Sequence, residues 1–265
     1  MPAPSAGTRL AVFGGVYANH RALRAVLDDA RARGAARTFC LGDLGGFGPH
    51  PDRAIETLRE AGVPSVRGNL DGTVGHDRPD CACGYCDPRD LHFSQRSFDY
   101  AVARTSPVHK AWLRDLPERI TLTIAGRRLL LCHGSPRRVN EFLWESTCSD
   151  DFLEWLCDDS GADVILCSHT GLHWWRTLPS GRQVINAGAL GRPANDGRAI
   201  AWYAELEIGG GIGVSFRPVP YDHEALAREM EAEGLPAEFI ATIRTGWWTT
   251  CLENMPARER ARGRF

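Results

Sequence analysis

The feature that most restricts this chain is a set of short, almost wholly apolar runs, each followed by a polar residue able to bind a metal. Residues 38–42 read TFCLG and deliver Asp43. Residues 63–66 lead through Arg67 and Gly68 to Asn69. The run 128–132, RLLLC, delivers His133, and 163–167, DVILC, leads to His169. Runs of this length between turn residues read as buried strands. Ligand sites in α/β proteins lie outside the carboxyl ends of such strands. One histidine after a strand is unremarkable, but four ligand-type residues at four such ends point to a shared site. Two imidazoles, one carboxylate and one amide oxygen suit zinc, manganese or iron.

Between the runs the period changes. After a first strand at 9–13, Asn19 is placed to cap a helix, because Leu23, Val26, Leu27 and Ala30 recur on one face before Gly34 stops it. A second helix is expected at 52–61. Strand, helix, strand, helix, strand at this spacing implies parallel strands with right-handed crossovers. Residues 71–92 interrupt the rhythm and read as a long ordered loop. Helix is expected across 94–115 with a break before Pro107, then a hairpin of 119–125 and 128–132 turning at Gly126. A helix at 149–159 precedes the 163–167 strand. Strands follow near 173–178, 182–186, 199–207 and 212–218, then helices at 222–233 and 236–245. The tail from Gly246 ends in PARERARGRF, basic and expected to be mobile. A βαβ first half and a strand-rich second half fit two packed sheets flanked by helices better than one doubly wound sheet. The expected division is a main domain at 1–220, with 71–92 as a Cys-rich insertion, and C-terminal helices with a tail at 221–265.

Composition narrows the function classes. The formal net charge is -2, which gives no general attraction to nucleic acid or an anionic membrane. No apolar run reaches the roughly 18–20 residues needed to span a bilayer. The opening MPAPSAGTR lacks the apolar core of a signal peptide, so a cytoplasmic location is expected. Cys40, Cys132 and Cys167 sit in the apolar runs and read as small core residues. Cys81, Cys83 and Cys86 form CACGYC; with His76 or His92 they offer a structural zinc site, and otherwise read as free thiols lining a lid.

Taken together, LGDLGGFGPHP (41–51), RGNLD (67–71), CHGSP (132–136), SHTG (168–171) and INAGALGRP (185–193) resemble the calcineurin-like metallophosphoesterase family, in its bacterial single-domain branch. The resemblance covers about residues 9–220 and implies a four-layered αββα sandwich. It also implies that Asp43 matches the family's bridging Asp, and that Asn69, His133 and His169 match the other ligands of one metal. The ligands private to the other metal are replaced. Gly15 and Tyr17 stand where an Asp and a His belong, Gly171 stands for a second His, and Leu70 stands where members often carry a catalytic His. A mononuclear site follows, with the vacated volume open to substrate. Tyr17 as a phenolate or His173 as a swung-in ligand would be substitutes.

Three functions stay open on this reading. One is phosphoester hydrolysis with one metal on a specialised, anionic small molecule, with Tyr17, His20 or His173 moving protons. Another is a repurposed iron or zinc enzyme of non-hydrolytic chemistry, since two His and one carboxylate with open positions permit it. The third is a non-catalytic protein that keeps its metal. Around the site, Asp71 is expected to orient a ligand histidine. Arg192 is expected to bind an anionic group. Trp174 offers a face for a planar substrate, and Asn19 either caps its helix or faces the pocket. The oligomeric state is not legible.

Overall fold

The computed structural model describes residues 7–263. In chain order the strands are β1 (Thr8–Phe13), β2 (Arg37–Cys40), β3 (Arg119–Ile124), β4 (Arg127–Cys132), β5 (Val164–Cys167), β6 (His173–Thr177), β7 (Gln183–Ala187), β8 (Ala201–Ile208) and β9 (Ile212–Val219). The helices are α1 (His20–Ala32), α2 (Pro51–Glu60), α3 (Asn69–Gly75), α4 (Pro88–Arg104), α5 (Pro107–Arg114), α6 (Asp150–Ser160), α7 (His223–Ala232), α8 (Ala237–Thr245) and the short α9 (Ala257–Arg260).

The strands form a four-stranded sheet, β2-β1-β8-β9, and a five-stranded sheet, β3-β4-β5-β7-β6. Alternation along each strand decides the layers, because successive side chains point to opposite faces. Leu10 and Val12 of β1 meet Leu129 and Leu131 of β4, Val164 and Leu166 of β5 and Ile185 of β7 in one buried cluster between the sheets. The alternate residues Ala11 and Phe13 pack outward with Leu23, Val26 and Ile55 of α1 and α2. On the far side, Leu130, Ile165 and Cys167 pack against Leu153, Leu156 and Cys157 of α6. The result is the expected αββα order. Parallel pairing of β1 with β2, β4 with β5 and β5 with β7 brings the ends of β2, β4 and β5 to one edge of the sandwich. Cys40, Cys132 and Cys167 are buried free thiols, as their runs imply.

Three expectations change. Residues 63–66 make no strand: Ser65 forms a single bridge to Cys40. Pro64 has no N–H to give a ladder. The 71–92 loop is partly helical. α3 opens at Asn69, and Asp87 caps α4 by accepting from the Arg89 and Asp90 N–H groups. The tail is packed rather than mobile through residue 263. Trp248 and Met255 join Trp144 and Leu172 in a buried cluster. Buried Glu259 accepts hydrogen bonds from the Ser146 N–H and hydroxyl. α7 and α8 pack Leu226, Met230 and Phe239 onto Phe47 and Phe93, so the C-terminal helices cover the loop that follows β2.

Leu166 is fully buried between the sheets. Leu166→Ala is expected to cost about 2–5 kcal/mol in denaturant unfolding; an unchanged midpoint would show that this face is not an interior.

Candidate metal centre

Asp43 follows β2, His133 follows β4 and His169 follows β5, while Asn69 opens α3. Asp43 and His169 hold left-handed backbone, at φ of 58° and 66°. Such conformations cost a non-glycine residue roughly 1–3 kcal/mol and persist where surrounding contacts impose them. For Asp43 those contacts are visible. The buried Asp71 carboxylate accepts from the N–H groups of Asp43, Leu44 and Gly68, each at 2.8 Å. One side chain thus ties the turn after β2 to the start of α3. Asp71 therefore orients the backbone of Asp43 and of Gly68, which precedes Asn69, and not a histidine ring as the sequence suggested. Burial and nearby Asp43 push its pKa up to about 6, against those donors.

The candidate ligands converge. His133 Nε2 lies 3.2 Å from Asp43 Oδ2 and 3.2 Å from His169 Nδ1. His133 Nδ1 donates to the Leu41 carbonyl at 2.6 Å. A carbonyl can only accept, so in the neutral ring this bond fixes the lone pair on Nε2. Asp43, His133 and His169 each offer an atom within 4.8 Å of the others, the one such His/Cys/Asp/Glu group among the described residues. Asn69 donates from Nδ2 to the Cys81 carbonyl at 3.0 Å, and its Oδ1 is buried with no hydrogen-bond partner. The electrostatics follow the packing. Burial raises the Asp43 carboxyl, but His133 beside it outweighs this and leaves it below its ordinary value. Burial lowers His133, and Asp43 more than restores it. His169 is pushed down to about 3 by burial and by His133, so it is neutral at neutral pH.

A cavity of about 50 Å³ opens beside this group, lined by Asp43, Asn69 and His169 together with Tyr17, Tyr85 and Arg192. Space beside Gly15 and Gly171 is not vacated for substrate. A Cβ on Gly171, at φ 77°, would lie 2.7 Å from the Trp248 ring. A Cβ on Gly15 would lie 3.1 Å from the Tyr17 ring and 2.9 Å from Ala189 Cβ. The chain fills both places with its own aromatic side chains.

The remaining sequence candidates divide. Tyr17 lines the cavity, and burial and Asp43 keep its pKa above the ordinary phenol value despite the opposing Arg192. Without a metal beside it, Tyr17 is therefore a phenol that keeps its proton. Arg192 is buried, lines the cavity and donates to the Thr250 carbonyl at 2.5 Å. Other candidates lie elsewhere. His20 sits 3.7 Å from Glu229. Asn19 caps α1, accepting from the Ala22 N–H at 2.9 Å and donating to the Gly191 carbonyl. His173 packs between Trp202 and Phe216, at centroid distances of 4.7 and 4.4 Å, and cannot replace a ligand without leaving that stack. Trp174 is core, its Nε1 donating to the Leu143 carbonyl. The Cys81 and Cys83 sulfurs lie side by side and Cys86 is exposed, and among the described residues the three do not gather into a metal-ligating group. Cavity residues that the sequence did not reveal are Tyr85, Phe93, Phe239 and Cys251. They come from the insertion and the C-terminal segment, and no motif marks them.

Two packed sheets with a buried His/Asp group at their strand ends define an α/β sandwich of the metallophosphoesterase type. The chain belongs to the calcineurin-like phosphoesterase superfamily, whose domain model matches residues 9–209. A metallophosphoesterase from Sphaerobacter thermophilus has a similar structure, with TM-score 0.70 and 25% identity over 91% of this chain and 99% of that one. The hypothetical protein PH1004 from Pyrococcus horikoshii OT3 shares the fold at TM-score 0.76 and 20% identity, covering 91% of this chain and 99% of its own. The uncharacterized protein MJ0912 of Methanocaldococcus jannaschii is 27% identical over 205 residues, 69% of this chain and 76% of that protein.

The placement of His173 makes a pH prediction. Burial lowers its pKa to about 4. An unfolded histidine takes its proton near pH ~6.5, so the unfolded state gains protons first as pH falls. The stabilisation is complete above that value and is lost as pH drops toward 4. Stability measured from pH 7 to pH 4 is expected to fall less steeply in His173→Phe; an identical slope would contradict the buried neutral ring.

Proposed function

We propose that this protein is a phosphoester hydrolase working with one divalent transition metal, iron, manganese or zinc, held by Asp43, Asn69, His133 and His169. The observation that carries this is the orphaned oxygen of Asn69. It is a buried acceptor without a donor, on a side chain whose nitrogen is already committed, lining the same cavity as Asp43 and His169. A cation would satisfy it together with the His133 Nε2 lone pair, the neutral His169 ring and the Asp43 carboxylate. The donor set of two imidazoles and two oxygens fits a borderline metal.

A bound divalent metal supplies two things to phosphoester hydrolysis: a lowered pKa for coordinated water and withdrawal of charge from a phosphoryl oxygen. The protein's own groups supply the rest. Asp71 holds the Asp43–Leu44 backbone in register with Gly68, the residue before Asn69, through its three accepted hydrogen bonds. Leu41 fixes the His133 tautomer. Tyr17 lines the cavity and, without a metal beside it, keeps its phenol proton. Tyr17 over Gly15 and Trp248 against Gly171 support a count of one metal, because both glycines' flanks are filled. The substrate is read as an anionic small molecule.

The test is to count metal and turnover on the same sample. Elemental analysis is expected to find one equivalent per chain, falling to background in His133→Ala. Wild type is expected to cleave bis(4-nitrophenyl) phosphate, with loss of turnover in Asp43→Ala and His133→Ala. Two equivalents would refute the mononuclear site. One equivalent of iron with a visible absorption band and no phosphoester cleavage would instead favour the chemistry open to two His and one carboxylate. Asp71→Asn removes a carboxylate oxygen from three backbone donors. It is expected to weaken metal affinity by about 10–100-fold, measured by chelator competition; an unchanged affinity would show that the loop holds itself.

A further inference from the structure

Arg192 carries a positive charge into the interior without an acidic partner. It is 6% exposed, and it forms no ion pair with a carboxylate among the described residues. Its hydrogen bonds run from Nη2 to the carbonyl and hydroxyl of Thr250, at 2.5 and 3.3 Å. Its Nε is buried with no partner. The guanidinium lies over the Trp248 ring at 3.7 Å from its centroid and 5.2 Å from that of Phe47. Stacking on an aromatic face fixes the plane of the fork and offsets part of the desolvation. It does not supply a countercharge, and a buried charge without one is costly. Asp90 is a buried carboxylate nearby: its Oδ2 accepts from the Asn254 N–H at 3.0 Å, its Oδ1 has no hydrogen-bond partner, and it feels the Arg192 charge without forming an ion pair with it. The Arg192 side chain lines the same cavity as Asp43, Asn69 and His169, where an anionic ligand would complete this charge.

We propose that Arg192 is the anion-binding group of this cavity, donating to phosphoryl oxygens of a substrate that shares the cavity with the candidate metal ligands. Two-metal hydrolases clamp both sides of a phosphoryl group with cations. Here a fixed guanidinium takes one side of that clamp, held by Trp248 and Thr250. The substrate's identity as a phosphoester rests on the reading above; the binding of a tetrahedral oxyanion by Arg192 does not. A planar fork suits two phosphoryl oxygens, which a lysine ammonium cannot match.

Isothermal titration with inorganic phosphate tests this, using the full chain in metal-loaded and chelator-treated forms. Metal content and melting temperature are measured on each sample. Wild type, Arg192→Gln and Arg192→Lys are compared. Arg192→Gln is expected to bind phosphate roughly tenfold or more weakly at unchanged metal content, with Arg192→Lys between it and wild type. Should Arg192→Gln not fold, a weaker affinity of a folded Arg192→Lys carries the same conclusion, since only the fork is lost. Phosphate binding equal to wild type in a folded Arg192 variant, or no phosphate binding by wild type in either form, overturns the proposal. The two readings separate cleanly. A wild type that takes up no metal on loading, yet binds phosphate through Arg192, refutes the metal site and keeps the anion site. A metal-replete Arg192→Gln that binds phosphate normally does the reverse.

Discussion

Electron-pair donors do not gather in a protein interior without something positive between or beside them. Here Asp43 Oδ2, His133 Nε2 and His169 Nδ1 lie about one hydrogen bond apart in a buried corner, with the bare oxygen of Asn69 lining the same cavity. Without a metal, a shared proton does part of the work. His133 binds one more readily than an ordinary histidine because Asp43 is beside it. Metal and proton compete for the same lone pairs, so metal binding at such a site releases protons and weakens in acid. The left-handed backbone at Asp43 and His169, the three bonds into Asp71 and the Leu41 contact all serve to keep these donors together.

The rest of the cavity wall obeys a different rule. Tyr17 and Trp248 occupy the flanks of Gly15 and Gly171, and Arg192 lies flat on Trp248. One residue of the C-terminal segment therefore closes space and positions a charge at once. This explains why that segment is packed rather than loose. Trp248 donates to the Pro193 carbonyl at 2.6 Å, and the Trp248 N–H donates to Asn195, locking the segment to the loop that carries Arg192. α8 contributes Phe239 to the same wall.

Much of the sandwich was legible because burial writes itself into the chain as period. The runs ending at Cys132 and Cys167 are buried on both faces, as interior strands require, while the run ending at Cys40 is an edge strand buried only at Phe39 and Cys40. The residues just after them had to emerge at one edge, so Asp43, His133 and His169 could be grouped without coordinates. Side-chain direction was less legible. His173 and Trp174 follow His169 closely in sequence, yet the β6 alternation sends one onto Trp202 and the other into the outer core. Asn19 and Asp71 have short polar side chains that backbone N–H groups can claim, and they did so. Contacts of long sequence separation were hidden altogether: nothing near Gly171 announces Trp248, and nothing in CACGYC announces that the Cys81 carbonyl holds Asn69.

The central claim is that this corner holds one ion and that the neighbouring volume belongs to aromatic side chains and a guanidinium. Anomalous diffraction from crystals grown with manganese or zinc measures it directly. The account predicts a single anomalous peak coordinated by Asp43, Asn69, His133 and His169, with Tyr17 and Trp248 in place beside Gly15 and Gly171. A second peak on the Tyr17 side of Asp43, or no peak between the two imidazoles, would contradict it.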